Sequence, residues 1–243
     1  MKDTIRIAAL GDLHYGHSGP SPVKGMLNRV AEHADLLVLC GDLTDQGTEA
    51  EARLLAKDLS PIGVPVIAVL GNHDVESGQE RVVIEVLQAA GVHVLDGDAI
   101  EILGVGFAGV KGFAGGFGRG ALGAWGEPAI KLFVQEAVNE ALKLERALAR
   151  LRTPRRIALL HYSPVRATVE GEPPEIFPYL GSSRLEEPLS RYPVDAIFHG
   201  HAHNGQLEGK TTIGTPVYNV SANLLARMSP HEPAPRIVEF ARE

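Results

Sequence analysis

Along the chain, apolar positions collect into short runs separated by longer mixed stretches. The runs IRIAAL (5–10), LLVLC (36–40), VPVIAVL (64–70), RIALL (156–160) and DAIF (195–198) are short and rich in Val, Ile and Leu. Their length and composition predict buried strands. Between them, SPVKGMLNRVAEHA (21–34), TEAEARLLAKDL (48–59), SGQERVVIEVLQAAG (77–91) and EPAIKLFVQEAVNEALKLERALARL (127–151) predict helices. The signals are a Ser or Thr ahead of the first turn, an early Pro, or a terminating Gly. Alternating strands and helices predict a largely parallel sheet, at least in the first half. The stretch VHVLDGDAIEILGVGFAGV (92–110) and the tail pieces TTIGTPVYNVSA (211–222) and PRIVEFA (235–241) instead alternate between turns. They predict antiparallel strands in a second sheet packed on the first.

Composition sets the outer limits. The 243 residues, 44% hydrophobic and 22% charged, suit a globular chain with a sizeable core. No linker, repeat or low-complexity tract divides it, so residues 1–243 are expected to form a single domain. The glycine-dense segment 104–126 is placed as a long surface loop near the mouth of a site. A formal charge of -7, from 23 basic and 30 acidic residues, gives no sign of binding to nucleic acid or an anionic membrane. One cysteine, Cys40, excludes an intramolecular disulfide and an all-cysteine metal cage, and reads as a small buried hydrophobe. No apolar stretch approaches the roughly 20 residues of a membrane span, and the expectation is a soluble, cytoplasmic protein.

Each predicted strand is followed by residues with metal-ligand chemistry. Asp12 and His14 follow the first, Asp42 the second, Asn72 and His73 the third, His161 the fourth, and His201 and His203 the fifth. Ligand sites in open α/β sheets assemble at the carboxyl edge of the strands. Carboxylate, amide and imidazole without thiolate suit borderline to hard divalent ions such as Mn, Fe or Zn.

The ordered blocks GDLH, GD, GNHD, a lone H before a loop, and GHAH resemble the calcineurin-like metallophosphoesterase superfamily over residues 11–203. That resemblance implies a four-layer αββα sandwich, two packed mixed β-sheets flanked by helices, carrying two divalent metal ions. One metal would be held by Asp12, His14, Asp42 and His203, and the other by Asp42, Asn72, His161 and His201, with Asp42 bridging. It further implies that His73 faces the substrate and that Asp45 orients His73. Hydrolysis would proceed by attack of a metal-bridging hydroxide on a small-molecule phosphate ester.

Within the superfamily, GDLTDQG and GNHD depart from the serine/threonine protein phosphatases, which carry Arg and Glu at the corresponding positions. The blocks look more like the bacterial cyclic-nucleotide and glycerophosphodiester phosphodiesterases, so phosphodiester hydrolysis leads, with cyclic nucleotides among the candidate substrates. Phosphomonoester hydrolysis, a nuclease and a non-catalytic metal-binding scaffold remain as alternatives. Lys111 and Arg119, from the glycine-dense segment, and His17 are candidate substrate contacts. His199 is read as a packed strand-end or supporting residue. The sequence carries no visible signal for oligomeric state.

Overall fold

A computed structural model of the chain describes residues 4–16 and 23–241. Strand β1 (Thr4–Leu10) is followed by helices α1 (Val23–Asn28) and α2 (Val30–His33), then β2 (Leu36–Cys40), α3 (Glu49–Leu59), β3 (Val66–Val69), α4 (Glu80–Ala89) and β4 (Val92–Val94). Next come β5 (Asp98–Ile102), β6 (Val105–Gly109), α5 (Pro128–Leu148), β7 (Arg155–Leu159), the short α6 (Phe177–Leu180), α7 (Glu186–Arg191) and β8 (Ala196–His199). The chain closes with β9 (Glu208–Lys210), β10 (Pro216–Asn219), α8 (Ala222–Met228) and β11 (Arg236–Ala241).

Two mixed sheets result, one ordered β11-β1-β2-β3-β4 and the other β5-β6-β7-β8-β10-β9. In the first sheet β1 to β4 run parallel; in the second β6, β7, β8 and β10 do. The antiparallel strands β11, β5 and β9 lie at sheet edges. Side-chain alternation explains the layering. Phe107, Ile157, Leu159, Ala196 and Phe198 of the second sheet join one core with the first sheet, including Leu39 and Val69. Their neighbours Ala108, Ala158, Leu160 and Ile197 face the other way and pack with Leu144 and Leu148 of α5 and Leu189 of α7. Helices thus flank both sheets, giving the αββα sandwich.

Local signals act as the sequence predicts at two helix starts. The Thr48 hydroxyl accepts from the Glu51 amide at 3.4 Å while the Glu51 carboxylate accepts from the Thr48 amide at 3.1 Å, a reciprocal cap on α3. Pro128 opens α5, where its missing N–H is no loss. The helix expected over 21–34 is interrupted at Arg29 within its described part.

Two expectations need correction. Residues 92–110 do not form antiparallel strands of one sheet. Val92–Val94 pairs parallel with β3 in the first sheet, because α4 supplies the crossover that parallel pairing requires. Only β5 and β6 form the expected hairpin, turned by Leu103 and Gly104 at φ 53° and 83°. The tail divides as well, with β10 parallel to β8 in one sheet and β11 antiparallel to β1 in the other. Nor is 104–126 a surface loop throughout, since Val105–Gly109 is a fully buried strand. Its glycine is a packing residue: a Cβ on Gly109 would lie 2.7 Å from Val69 Cγ1 and 2.9 Å from Leu95 Cβ, where the two sheets meet. Among the described residues, no helix is long and apolar enough to cross a membrane.

Candidate metal centre

The carboxyl ends of β1, β2, β3, β7 and β8 converge at one edge of the sandwich, and every strand-end block named above lies there. The backbone is bent sharply to bring them in. Of the five described non-glycine residues with positive φ, four are Asp12, His14, Asp42 and His201, at 55°, 46°, 48° and 70°. Such conformations cost about 1–2 kcal/mol per residue and persist only where the surroundings impose them. Here they are imposed by bonds between blocks: Asp12 N–H to Gly41 O (2.9 Å), His14 N–H to Asp42 O (3.0 Å), and His201 N–H to both Asp12 carboxylate oxygens (3.0 and 2.9 Å). The glycines before the acid and amide supply space. A Cβ on Gly41 would meet His161 Nδ1 at 2.4 Å, and one on Gly71 would meet Asp42 Oδ1 at 2.1 Å.

Two groups of donor atoms form. In the first, Asp42, His161 and His201 each present an atom within 4.8 Å of the others. The His161 Nδ1 lies 3.0 Å from Cys40 O, and a carbonyl can only accept, so Nδ1 carries the proton and Nε2 a lone pair. That Nε2 faces Asn72 Oδ1 at 2.8 Å and Asp42 Oδ1 at 3.4 Å, so lone pairs confront one another. By the same reasoning His201, whose Nε2 lies 3.0 Å from Tyr179 O, has its lone pair on Nδ1. A divalent cation among these atoms resolves the conflict, and the donor set suits one.

The second group is Asp12, His14 and His203. His203 Nε2 lies 3.2 Å from Asp12 Oδ1. Both ring nitrogens of His14 are buried without a hydrogen-bond partner among the described residues, which is costly unless something absent here binds them. Asp42 sits between the groups, with Oδ1 toward His161 and Oδ2 3.9 Å from His14 Nε2. A third close triplet, His14, Asp45 and His73, shares His14 with the second and forms its rim.

The remaining predicted residues fall in different places. His73 donates its backbone N–H to Asp42 Oδ1 (2.9 Å) and its ring Nδ1–H to the main-chain carbonyl of Asp45 (2.6 Å), leaving Nε2 4.0 Å from Asp42 Oδ2. Asp45 therefore contacts His73 through its backbone, while its carboxylate lies 3.5 Å from His14 Nδ1. The Lys111 ammonium donates to Gly112 O at 3.1 Å and lies over the rings of Phe113 and Tyr162. Arg119 lines a separate groove away from the two donor groups. His17 lies outside the described residues. His199 has both ring nitrogens engaged, by Gly200 O at 2.7 Å and the Thr168 hydroxyl at 2.8 Å, which leaves no lone pair for a metal.

Two supporting acids were only partly legible. Asp74 is fully buried and accepts from the amides of Leu43 (3.1 Å), Thr44 (2.8 Å) and Gly71 (2.8 Å) and from the Thr44 hydroxyl (2.6 Å). Its bonds tie the second block to the third. Glu172 accepts from Asn204 N (2.6 Å) and Nδ2 (3.0 Å), and Arg227 donates to Asn204 Oδ1 (2.6 Å) and His203 O (3.0 Å). Nothing local in the sequence marks that pairing.

Electrostatics separates the imidazoles. Burial above all pushes His161 down to about 4 and His201 to about 3, so both are neutral at physiological pH. Burial also lowers His203, but the hydrogen bond and charge of Asp12 overcome it and leave its pKa raised. Burial raises Asp12, and the His203 hydrogen bond and surrounding imidazoles outweigh that, holding its carboxyl below the usual carboxylate range. Asp42 moves up to about 6 through burial first and the Asp12 charge second. Burial lowers His73, yet the Asp45 carbonyl and nearby carboxylates leave it raised.

Comparison with known proteins places this geometry. The family model for calcineurin-like phosphoesterase matches residues 5–205. A protein of Synechococcus sp. described as a probable cyclic nucleotide phosphodiesterase is 32% identical over 81 residues, covering 29% of this chain and 32% of that protein. The chain thus matches about a third of the length of that curated relative. The phosphopantetheinyl hydrolase of Mycobacterium tuberculosis has a similar fold, with a TM-score of 0.71 at 16% identity over 98% of this chain and 97% of that one. GAP50, the anchor in the inner membrane complex of Plasmodium, is similar with a TM-score of 0.54 at 14% identity over 91% of this chain and 73% of that one.

Proposed function

The chain belongs to the calcineurin-like phosphoesterase family, and from that premise we propose that it hydrolyses phosphodiesters with the help of two divalent metal ions, Mn, Fe or Zn. When bound, such a pair lowers the pKa of a shared water and neutralises phosphoryl oxygens. Asp12, His14, Asp42 and His203 would hold one ion, and Asp42, Asn72, His161 and His201 the other. Asp42 would serve both, since its Oδ1 faces His161 and its Oδ2 faces His14. The carbonyl contacts of His161 and His201 fix their tautomers with the lone pair inward before any ion arrives. His73 faces the substrate with Nε2, its other nitrogen tied to Asp45 O. The raised pKa of His73 favours a protonated ring that stabilises phosphoryl charge and gives its proton to the leaving oxygen.

One observation carries the preference for diesters over monoesters. Beside His201 lies the Tyr162 ring, at 4.4 Å between centroids, with Phe113 and Phe133 packed in turn behind it. Of the candidate cations, Arg119 lines a groove apart from the donor groups, and Lys111, which lies over the Tyr162 ring, is the one cation beside that wall among those named. A diester carries one negative charge and an organic group on each side, which suits an apolar wall; a monoester dianion gains more from extra cations. The cyclic nucleotide phosphodiesterase among the relatives supports the same choice.

The test is a side-by-side comparison of the Mn-loaded chain on bis(4-nitrophenyl) phosphate and 4-nitrophenyl phosphate, extended to 2',3'- and 3',5'-cyclic nucleotides. The expected result is higher kcat/KM on the diester. Faster monoester hydrolysis overturns the diester preference, and metal binding with no hydrolysis of either ester replaces the enzyme with a scaffold.

A further inference from the structure

Arg119 shares its groove with two other cations from distant parts of the chain. The groove, of about 460 Å³, is lined by Arg119 from the turn after β6, Arg166 from the turn after β7 and Lys210 from β9, together with Phe117, Ser183 and Thr212. Its size lies within the usual range for small-molecule sites. None of its lining residues is a candidate metal ligand. Phe117 forms part of its wall and packs with Val169, Leu180 and Ala202, and Ala202 stands between His201 and His203. An apolar layer therefore lies between the groove and the metal centre.

The charge balance of this groove runs against that of the chain. The protein carries a net -7, yet three cationic side chains converge here with one lining carboxylate, Glu186. That carboxylate is engaged by the Thr212 amide at 2.5 Å. Arg166 is balanced by Glu170 at 3.5 Å and lies over the Phe177 ring. The side chains of Arg119 and Lys210 have no ion pair or hydrogen bond among the described residues. Ser183 adds a donor, because its oxygen accepts from the Gly118 amide at 2.9 Å and its hydroxyl hydrogen is free to point outward. Converging cations focus a positive potential that recruits an anion, and a guanidinium fork beside an ammonium and a hydroxyl suits phosphate oxygens.

We propose that this groove is a second anion site that binds the phosphate group of a small molecule, separately from the metal centre. The phosphate is either free or the terminal group of an ester, and the chemistry of recognition is the same. Arg119 and Lys210 supply the charge, and Phe117 offers a face for whatever the phosphate carries.

The test uses the zinc-loaded full chain, with backbone amide NMR shifts followed during titration with inorganic phosphate and, in a second arm, with adenosine monophosphate, at constant ionic strength set by chloride. Two saturable sets of shifts are expected, one in the metal-centre loops and one at Gly118, Ser183 and Thr212. The double variant Arg119→Ala/Lys210→Ala should lose the groove set and keep the metal-loop set, which also reports that the variant is folded. Tighter groove binding of the monophosphate than of phosphate assigns an esterified ligand, and equal binding assigns free phosphate. Shifts confined to the metal loops, groove shifts that do not saturate, or groove shifts that persist in the double variant overturn the proposal. Because the readout is anion binding, failure of this site and failure of the phosphodiesterase assignment are told apart.

Discussion

The two halves of the candidate metal centre are built differently. On the His161 side, each imidazole has its outward nitrogen tied to a backbone carbonyl, Cys40 O for His161 and Tyr179 O for His201. On the His14 side, His14 has no hydrogen-bond partner for either nitrogen among the described residues, and His203 is held through Asp12 and by Arg227 on its carbonyl. Ordering free side chains costs entropy at the moment of binding. The His161 half has already met that cost in the folded chain, and its rings are neutral. The His14 half still has to order the His14 ring, and the raised pKa of His203 makes a proton there harder to remove. The contrast implies stepwise loading, the His161 half first.

The largest effect should come from removing what the halves share. Asp42→Ala is expected to deplete both ions and bring hydrolysis to background, measured by elemental analysis beside the diester assay; two ions retained per chain would remove Asp42 from its bridging place. His73→Ala should leave the comparison intact, with metal content unchanged and turnover lowered by roughly 10² to 10⁴. Undiminished turnover would take His73 out of the mechanism. A smaller effect, confined to one half, is expected of Arg227→Ala. Loosening the His203 carbonyl should weaken the second ion by roughly tenfold and leave the first unchanged, and equal weakening of both would contradict the separation of the halves.

The pH dependence of the metal-free chain sharpens the contrast further. Burial holds His161 and His199 down to about 4 and His201 to about 3, against 6.5 in the unfolded chain. Between those values the unfolded state binds more protons. Their contribution to stability is therefore complete above pH 6.5 and is lost as pH falls through 6.5 toward 4. Urea midpoints should drop between pH 7.5 and pH 5, and zinc should protect against the part owed to His161 and His201 but not that owed to His199. The raised pKa values of Asp42, Asp74, His73 and His203 oppose this drop, so the rings are also read directly by NMR titration, and protonation of His161, His199 or His201 above pH 6 would contradict their neutral, buried state.

The strand-end blocks were legible because each couples a short apolar run to a glycine and a donor residue, and parallel strands deliver such ends to one edge. Pairing partners were less so. Val92–Val94 reads like its hairpin neighbours, and only the crossover through α4 assigns it to the first sheet. Gly109 of β6 looked like a loop residue because the neighbours it admits, Val69 and Leu95, lie at other places in the chain. Asp45 was recognised, but its contact with His73 is made by a carbonyl that every residue possesses. Arg119 was a candidate substrate contact and lies in a groove apart from the donor groups, because its direction depends on the loop around it, which local periodicity does not encode.

The central claim is that the five strand ends assemble one centre for two ions and that both ions are needed for hydrolysis. Calorimetric titration of the metal-stripped chain with Mn, with the rate on bis(4-nitrophenyl) phosphate read at each addition, tests it most directly. Two sequential binding events are expected, with turnover rising only as the second site fills. A single event, or full turnover with one ion per chain, would contradict the account.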